Sequence, residues 1–314
     1  MNKEIVNLIE KYQTIIIHRH KNPDGDALGS QLGLKRLIEL NYPRKDVYVV
    51  GDENTFVFLG KMDIIEDDVY QDALVFILDV SVASLVSDNR YKLANHVVII
   101  DHHLNSADIG DTVYINSNFI ACAEIICDLA FKNNWKIDKV GATPLLAGII
   151  TDSGRFLYPS TSASTFKTAA YLIENGANIQ HIYDKLYTVT LDYTKLKGYF
   201  LNNFKTTKNN VAYMKNDVSI KDKYHVSTFT VSRAMVNQMG GMEGIDIWAN
   251  FTMDETGKVQ TELRSKKLSI VDIARKYGGG GHALACGCTL SSFEEADQVL
   301  NDLDELLEKE KQNG

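Results

Sequence analysis

The chain has 314 residues, 45% hydrophobic and 24% charged, which supplies enough apolar material for two ordinary cores and excludes a disordered protein. Its formal charge of −8 at pH 7 excludes a coat for long nucleic acid, which needs a basic footprint to displace phosphate counterions. A small anionic substrate gripped through cations stays open, because carboxylates that hold a cation still count as negative in the tally.

Four cysteines (Cys122, Cys127, Cys286 and Cys288) do not make a disulfide framework. The N-terminal residues through Tyr12 lack the layout of a signal peptide, and no apolar run reaches the ~18 residues of a membrane span. A cytoplasmic protein with no membrane association is expected.

In chain order, the Val- and Ile-rich runs 14–18, 47–50, 73–79 and 97–101 read as strands. Helical spacing of apolar residues marks 27–40, 121–133, 142–150 and 164–175, the last stopped by Asn175 and Gly176. Continuously apolar strands alternating with helices predict a parallel sheet with helices on both faces. The second half changes character. Runs 211–215, 247–253 and 258–263 read as antiparallel strands, the last two joined through Asp254 to Gly257 as a hairpin turn. A short helix at 270–276, glycines at 278–281, a strand at 286–290 and an amphipathic helix at 293–309 complete the chain. The expected fold class is therefore α/β: a parallel-sheet domain over 1–186, a connection over 187–208, and a smaller α/β domain with a mixed sheet over 209–314.

The acids and histidines fall at strand ends. His18, His20, Asp24 and Asp26 follow the first strand, Asp79 ends the third, and Asp101, His102 and His103 end the fourth. Asp152 follows the apolar segment 145–150. In an open parallel sheet the C-terminal strand ends share one rim, where the ligand crevice lies. Any one of these acids alone reads as a turn or cap residue, and His18 reads as a core histidine. Together, carboxylates with imidazoles and no thiolate suit Mn²⁺ or Mg²⁺, histidine favouring Mn²⁺. Such a cluster holds two ions ~3.5–4 Å apart around an activated water.

The glycines before His282 can present backbone N–H groups to an anion, and Arg264 can grip a phosphate bidentately. Between Arg264 and Lys276 the bases Arg264, Lys266, Lys267, Arg275 and Lys276 form a candidate phosphate-facing patch, with a solvated face as the ordinary alternative. Arg155 is a further polar candidate near the rim, a surface ion pair being its alternative. Cys286 and Cys288, even with His282, fall short of a structural zinc site and read as small buried hydrophobes.

The ordered set of His20 with Asp24, Gly25, Asp26, Ala27, Leu28, Gly29 and Ser30, then Asp79, then Asp101-His102-His103, then Asp152, resembles the DHH phosphoesterases. The stretch from Gly279 to His282 is similar to the signature of the DHHA1 domain that accompanies them. The resemblance covers nearly the whole chain and lies nearest the nano-RNase A branch. It implies a DHH domain over 1–186 and a DHHA1 domain over 209–314, with two Mn²⁺ ions and Mg²⁺ as a substitute. One ion would be held by His20, Asp24 and Asp79, the other by Asp26, Asp79, His102 and Asp152. Asp101 would support the cluster, and His103 would lie beside the scissile phosphate, so that Asp79, Asp101, His102 and His103 form the catalytic set. Arg155, Arg264, Ser265, Gly279, Gly280, Gly281 and His282 would bind substrate.

The implied activity is two-metal hydrolysis by a bridging hydroxide. Its substrates would be short oligoribonucleotides, degraded to 5′-mononucleotides, and 3′-phosphoadenosine 5′-phosphate; a homodimer is implied as well. Other relatives take cyclic di-AMP or its linear product pApA, and that activity is the alternative. Hydrolysis of pyrophosphate or polyphosphate is a further one. A non-catalytic nucleotide sensor is disfavoured, because every expected ligand type is present.

Overall fold

The computed structural model describes residues 2–53, 56–104 and 109–313, and the chain divides into two units, Met1–Thr188 and Val189–Gly314. In the first unit, strands β1 (Thr14–His18), β2 (Asp46–Val49), β3 (Leu74–Leu78), β4 (His96–Asp101) and β5 (Thr112–Ile115) form one sheet. Their order is β2-β1-β3-β4-β5, and every pair is parallel. Strand residues alternate between faces. Ile15, Ile17, Phe76, Val98 and Ile100 therefore join one core, while Ile16, Val75, Ile77, Val97 and Ile99 pack beneath Tyr70, Val86 and Tyr91. Continuous apolar runs at β1, β3 and β4 follow from this burial on both sides.

Helical cover is unequal on the two faces. Six α-helices feed the first core: α1 (Asn2–Lys11), α2 (Gly25–Asn41), α3 (Cys122–Lys132), α4 (Lys139–Asp152), α5 (Ala163–Glu174) and α6 (Ile179–Tyr187). The other face is roofed around short 3₁₀ helices at Asp67–Tyr70, Ala83–Leu85 and Asn89–Leu93. Strand β5, partly exposed at the sheet edge, was not expected, because its brief Thr-Val-Tyr-Ile run carries little periodic signal.

Chain order reverses between β1 and β3, the position at which α/β sheets open a ligand crevice. Two antiparallel helices bring their acids to that rim. Asp24 caps α2, its Oδ1 accepting from the N–H groups of Asp26 and Ala27 at 3.0 Å each, and Asp152 is the last residue of α4. A Cβ on Gly29 would overlap the carbonyl oxygen of Pro144 and fall 3.0 Å from the Gly148 nitrogen. Glycine there lets the two helix backbones touch, which sets the start of α2 beside the end of α4.

The second unit comprises α7 (Leu191–Asn203), β6 (Lys205–Thr206), β7 (Ala212–Asn216), α8 (Ser219–Lys223), β8 (Ile247–Met253), β9 (Val259–Ser265), α9 (Val271–Lys276), β10 (Gly280–His282), β11 (Ala285–Leu290) and α10 (Phe293–Asn313). Its sheet runs β10-β11-β9-β8-β7-β6, antiparallel except for the β7–β8 pair. The β8–β9 turn closes through the Asp254 N–H on the Lys258 carbonyl at 2.8 Å. Ile247, Ala249, Phe251 and Leu263 pack on one face with Ala274 of α9 and Val299 and Leu303 of α10. Leu196 and Phe200 of α7 pack on the other with Ala212 and Met214. The segment read as a connection, 187–208, thus contains a helix built into the second unit's own core. Among the described residues, no helix is long and apolar enough to cross a membrane.

Candidate metal centre

Acids and histidines at or just after the ends of three strands, at the start of α2 and at the end of α4 concentrate charge at one rim of the first unit. His20 Nε2 lies 3.7 Å from Asp24 Oδ1 and 3.6 Å from Asp79 Oδ2. His102 Nε2 lies 3.4 Å from Asp79 Oδ1, 3.3 Å from Asp152 Oδ2 and 3.8 Å from Asp26 Oδ2. His103 Nδ1 sits 2.7 Å from Asp101 Oδ1, which also accepts from the backbone N–H groups of His102 at 2.7 Å and His103 at 3.2 Å. Asp79 adopts φ +58°, a left-handed conformation that Asp and Asn tolerate better than most residues. His18 stands apart: it is fully buried, its Nε2 meets the Tyr70 hydroxyl at 3.1 Å, and burial lowers its pKa to about 4. It is a core histidine.

Asp26 is wholly buried, and its two oxygens accept from the N–H groups of Cys122 at 2.6 Å and Ala123 at 2.9 Å. These are the unsatisfied donors that begin α3, and they favour a negative charge there. Sequence reasoning missed this support because backbone donors leave no residue-type signature.

Five carboxylates gather with three imidazoles, and the titration directions follow. Burial lowers the His20 pKa, but Asp24 and Asp79 outweigh it and lift it to about 10. Burial likewise opposes Asp152 and Asp79 at His102, which rises to about 11. Burial would raise Asp79, yet His102 and His20 hold it well below the usual carboxylate range. Asp26 is pushed up by burial and by the charges of Asp79 and Asp152. Protons on the imidazoles thus occupy the role a cation would fill.

The donor set fits a cation. The 3.3–3.8 Å separations around His102 exceed the ~2.7–2.9 Å of a closed charge-assisted hydrogen bond. Asp79 Oδ1, Asp101 Oδ2 and His102 Nε2 are all buried without a hydrogen-bond partner, a costly condition that a cation relieves. Three groups, His20 with Asp24 and Asp79, Asp26 with His102 and Asp152, and Asp79 with Asp101, His102 and His103, each converge closely enough to hold one ion. Because ligating imidazoles must be neutral, adding Mn²⁺ near pH 7 is expected to release protons from His20 and His102. Apparent affinity should rise with pH, by about tenfold per unit for each proton displaced. Calorimetric titration in two buffers of different ionisation enthalpy checks this; identical heats would refute it.

In the second unit, paired residues place Trp248, Arg264, Ala285 and His282 in one row across β8, β9, β11 and β10. With strands ~4.8 Å apart, the Arg264 and His282 backbones stand about 10 Å apart across the small Ala285. Arg264 donates to Glu262 Oε2 at 2.9 Å and to the Leu263 carbonyl at 2.9 Å, while His282 is exposed. Ser265 is buried instead, its hydroxyl accepting from the Lys267 and Leu268 N–H groups. Exposed Arg155, at φ +64°, lays its guanidinium 5.2 Å from the Tyr187 ring centroid. Much of the basic run is paired with acids, Arg275 with Asp272 and Lys276 with Asp302. Cys286 and Cys288 belong to the hydrophobic core.

The glycine run proves to be part strand. A Cβ on Gly279 would overlap the Gly287 carbonyl oxygen and lie 2.5 Å from Cys288 Cβ, whereas one on Gly280 would meet nothing within 4 Å. Gly279→Ala is therefore expected to cost this unit at least about 2 kcal/mol and Gly280→Ala under about 1, read by denaturant unfolding. Equal costs would contradict the pairing described.

A parallel sheet whose reversal point is lined by carboxylates and histidines defines a metal-binding hydrolytic centre of the phosphoesterase kind. The chain belongs to the DHH family: the model of the DHH family N-terminal domain matches residues 14–149, and that of the DHHA1 domain matches residues 218–309. It is 34% identical over 312 residues to a Bacillus subtilis (strain 168) protein named bifunctional oligoribonuclease and PAP phosphatase NrnA, covering 98% of each chain. A Streptococcus mutans protein, named as a probable enzyme of that kind, is 36% identical over 97% of this chain and 98% of its own. The crystal structure of an exopolyphosphatase-related protein from Bacteroides fragilis matches with a TM-score of 0.80 and 25% identity, over 98% of this chain and 97% of that one.

Proposed function

We propose that the protein degrades short oligoribonucleotides to 5′-mononucleotides and dephosphorylates 3′-phosphoadenosine 5′-phosphate, using two Mn²⁺ ions at one centre. The observation that carries this reading is Asp79, whose Oδ2 lies 3.6 Å from His20 and whose Oδ1 lies 3.4 Å from His102. A carboxylate with one oxygen turned to each half of the cluster suits a bridge between two cations. On this reading His20, Asp24 and Asp79 would hold one ion, and Asp26, Asp79, His102 and Asp152 would hold the other. The names of the Bacillus and Streptococcus relatives support the pair of substrates.

Bound cations supply Lewis acidity and an acidified water. The chain's own residues do the remaining work. Asp101 fixes the half-exposed His103 ring through Nδ1, and that hydrogen bond raises the His103 pKa. His103 is accordingly assigned as the proton donor to the leaving oxygen. In the second unit, Arg264, His282 and the backbone of Gly279 to Gly281 are the proposed phosphate contacts, with Arg155 of the first unit as a further one. A cytoplasmic homodimer is part of the same proposal.

The test is a time course with Mn²⁺ on 5′-labelled RNAs graded upward from the dinucleotide, beside the 3′,5′-bisphosphate and cyclic and linear di-AMP. Fast loss of the shortest RNAs and of the bisphosphate is expected. Turnover confined to the adenine dinucleotides would reject the reading.

A further inference from the structure

One residue before His20, strand β1 runs into Arg19, a fully buried arginine. A guanidinium keeps its charge in a protein, so burial demands a counter-charge and hydrogen bonds. Arg19 has both. Its Nη1 donates to Asp52 Oδ1 at 2.8 Å and to the His20 carbonyl at 2.9 Å, and its Nη2 donates to the Asp52 carbonyl at 2.5 Å. The second Asp52 oxygen accepts from the Asn22 N–H at 3.0 Å. The short turn that carries His20 is therefore held at both ends, at its first carbonyl by Arg19 and at the Asn22 amide by Asp52.

The ring of His20 is oriented by the same turn. Its Nδ1 lies 2.7 Å from the Lys21 carbonyl, and the Lys21 N–H in turn donates to the Leu85 carbonyl at 2.7 Å. In the neutral imidazole that bond places the proton on Nδ1 and leaves the Nε2 lone pair facing Asp24 and Asp79, the tautomer a metal ligand needs. None of the hydrogen bonds described for Arg19 or Asp52 reaches Asp26, His102 or Asp152.

We propose that Arg19 and Asp52 are positioning residues of the metal centre, acting through the His20 turn on the ion held by His20, Asp24 and Asp79 and not on its neighbour. The proposal rests on the two-ion reading above. It is tested by titrating Mn²⁺ into the full-length, metal-free protein and following free Mn²⁺ by electron paramagnetic resonance. The wild type should bind two equivalents. Asp52→Asn and Arg19→Met should each weaken one equivalent by about 10–100-fold and leave the other within about threefold.

The two variants differ in what they leave behind. Asp52→Asn strands a buried cation and lowers stability, whereas Arg19→Met removes that cation and leaves Asp52, with 37% of its side chain exposed, able to hydrate. A purely structural role predicts that Arg19→Met binds both ions normally. That result, or a loss shared equally by both equivalents, would overturn the proposal. A wild type binding fewer than two equivalents would reject the two-ion reading itself, and this inference with it.

Discussion

Replacing Asp79 with asparagine is expected to lower both the oligoribonuclease and the 3′-phosphoadenosine 5′-phosphate phosphatase rates by at least about a thousandfold, which corresponds to about 4 kcal/mol of transition-state stabilisation. The two losses should match, because Asp79 faces both His20 and His102 and no other acid in the cluster does. Asparagine is the substitution of choice, since it accepts the φ of +58° that alanine would adopt only with strain. Some stability of the metal-free protein will be lost as well. The folded-state pKa of Asp79 lies below its unfolded value, so its contribution is present at neutral pH and disappears only as pH falls through the folded value. Thermal unfolding separates the two effects: Mn²⁺ should raise the wild-type Tm in a concentration-dependent way and leave the variant's Tm unmoved. Retention of either activity within tenfold of wild type would reject a shared centre.

Asp26 should behave differently from Asp79, because it serves two masters. On the proposed reading its carboxylate ligates an ion, and it also satisfies the first two N–H groups of α3. Both Asp26→Ala and Asp26→Asn are expected to reduce activity by at least about a hundredfold. Only alanine leaves both the Cys122 and Ala123 amides buried and unpaired, at about 1–3 kcal/mol for such a group. Asp26→Ala should therefore lose about 2–4 kcal/mol, or roughly 5–15 °C in Tm for a unit of this size. Asparagine keeps one acceptor for α3 but turns an NH2 donor toward the other amide, and it removes a charge that burial, Asp79 and Asp152 all disfavour, so it should unfold between the alanine variant and the wild type. Equal stability of the two variants in denaturant would show that the α3 amides do not depend on Asp26.

Much of the first unit was legible in the sequence. Continuous apolar runs predict strands buried on both faces, and the runs at β1, β3 and β4 are flanked by the acids and histidines that meet at the rim. Local geometry accounts for this success: a strand's direction carries whatever follows it to one end of a parallel sheet. The ordered motifs added the family and the ligand types. The hairpin turn from Asp254 to Gly257 was equally plain, because its residues answer to backbone conformation within a few positions.

What the sequence by itself determined, then, is the alternation of strands and helices, the chemistry available at the strand ends and the family to which the chain belongs. Tertiary structure supplied the partners of the two neighbouring histidines: His18, read from the sequence as a core residue, is hydrogen-bonded to Tyr70, and His20 faces Asp24 and Asp79. It also decided that Gly280 to His282 pair as a strand, that Ser265 turns inward, and that basic residues near the chain's end are tied to acids. Support for the centre was equally hidden, since Asp26 meets the amide of Cys122 and Arg19 meets Asp52. The physical reason is common to all of these. Burial and hydrogen-bond satisfaction are settled by partners far away in sequence, many of them backbone groups that every residue carries, so residue type alone does not announce them.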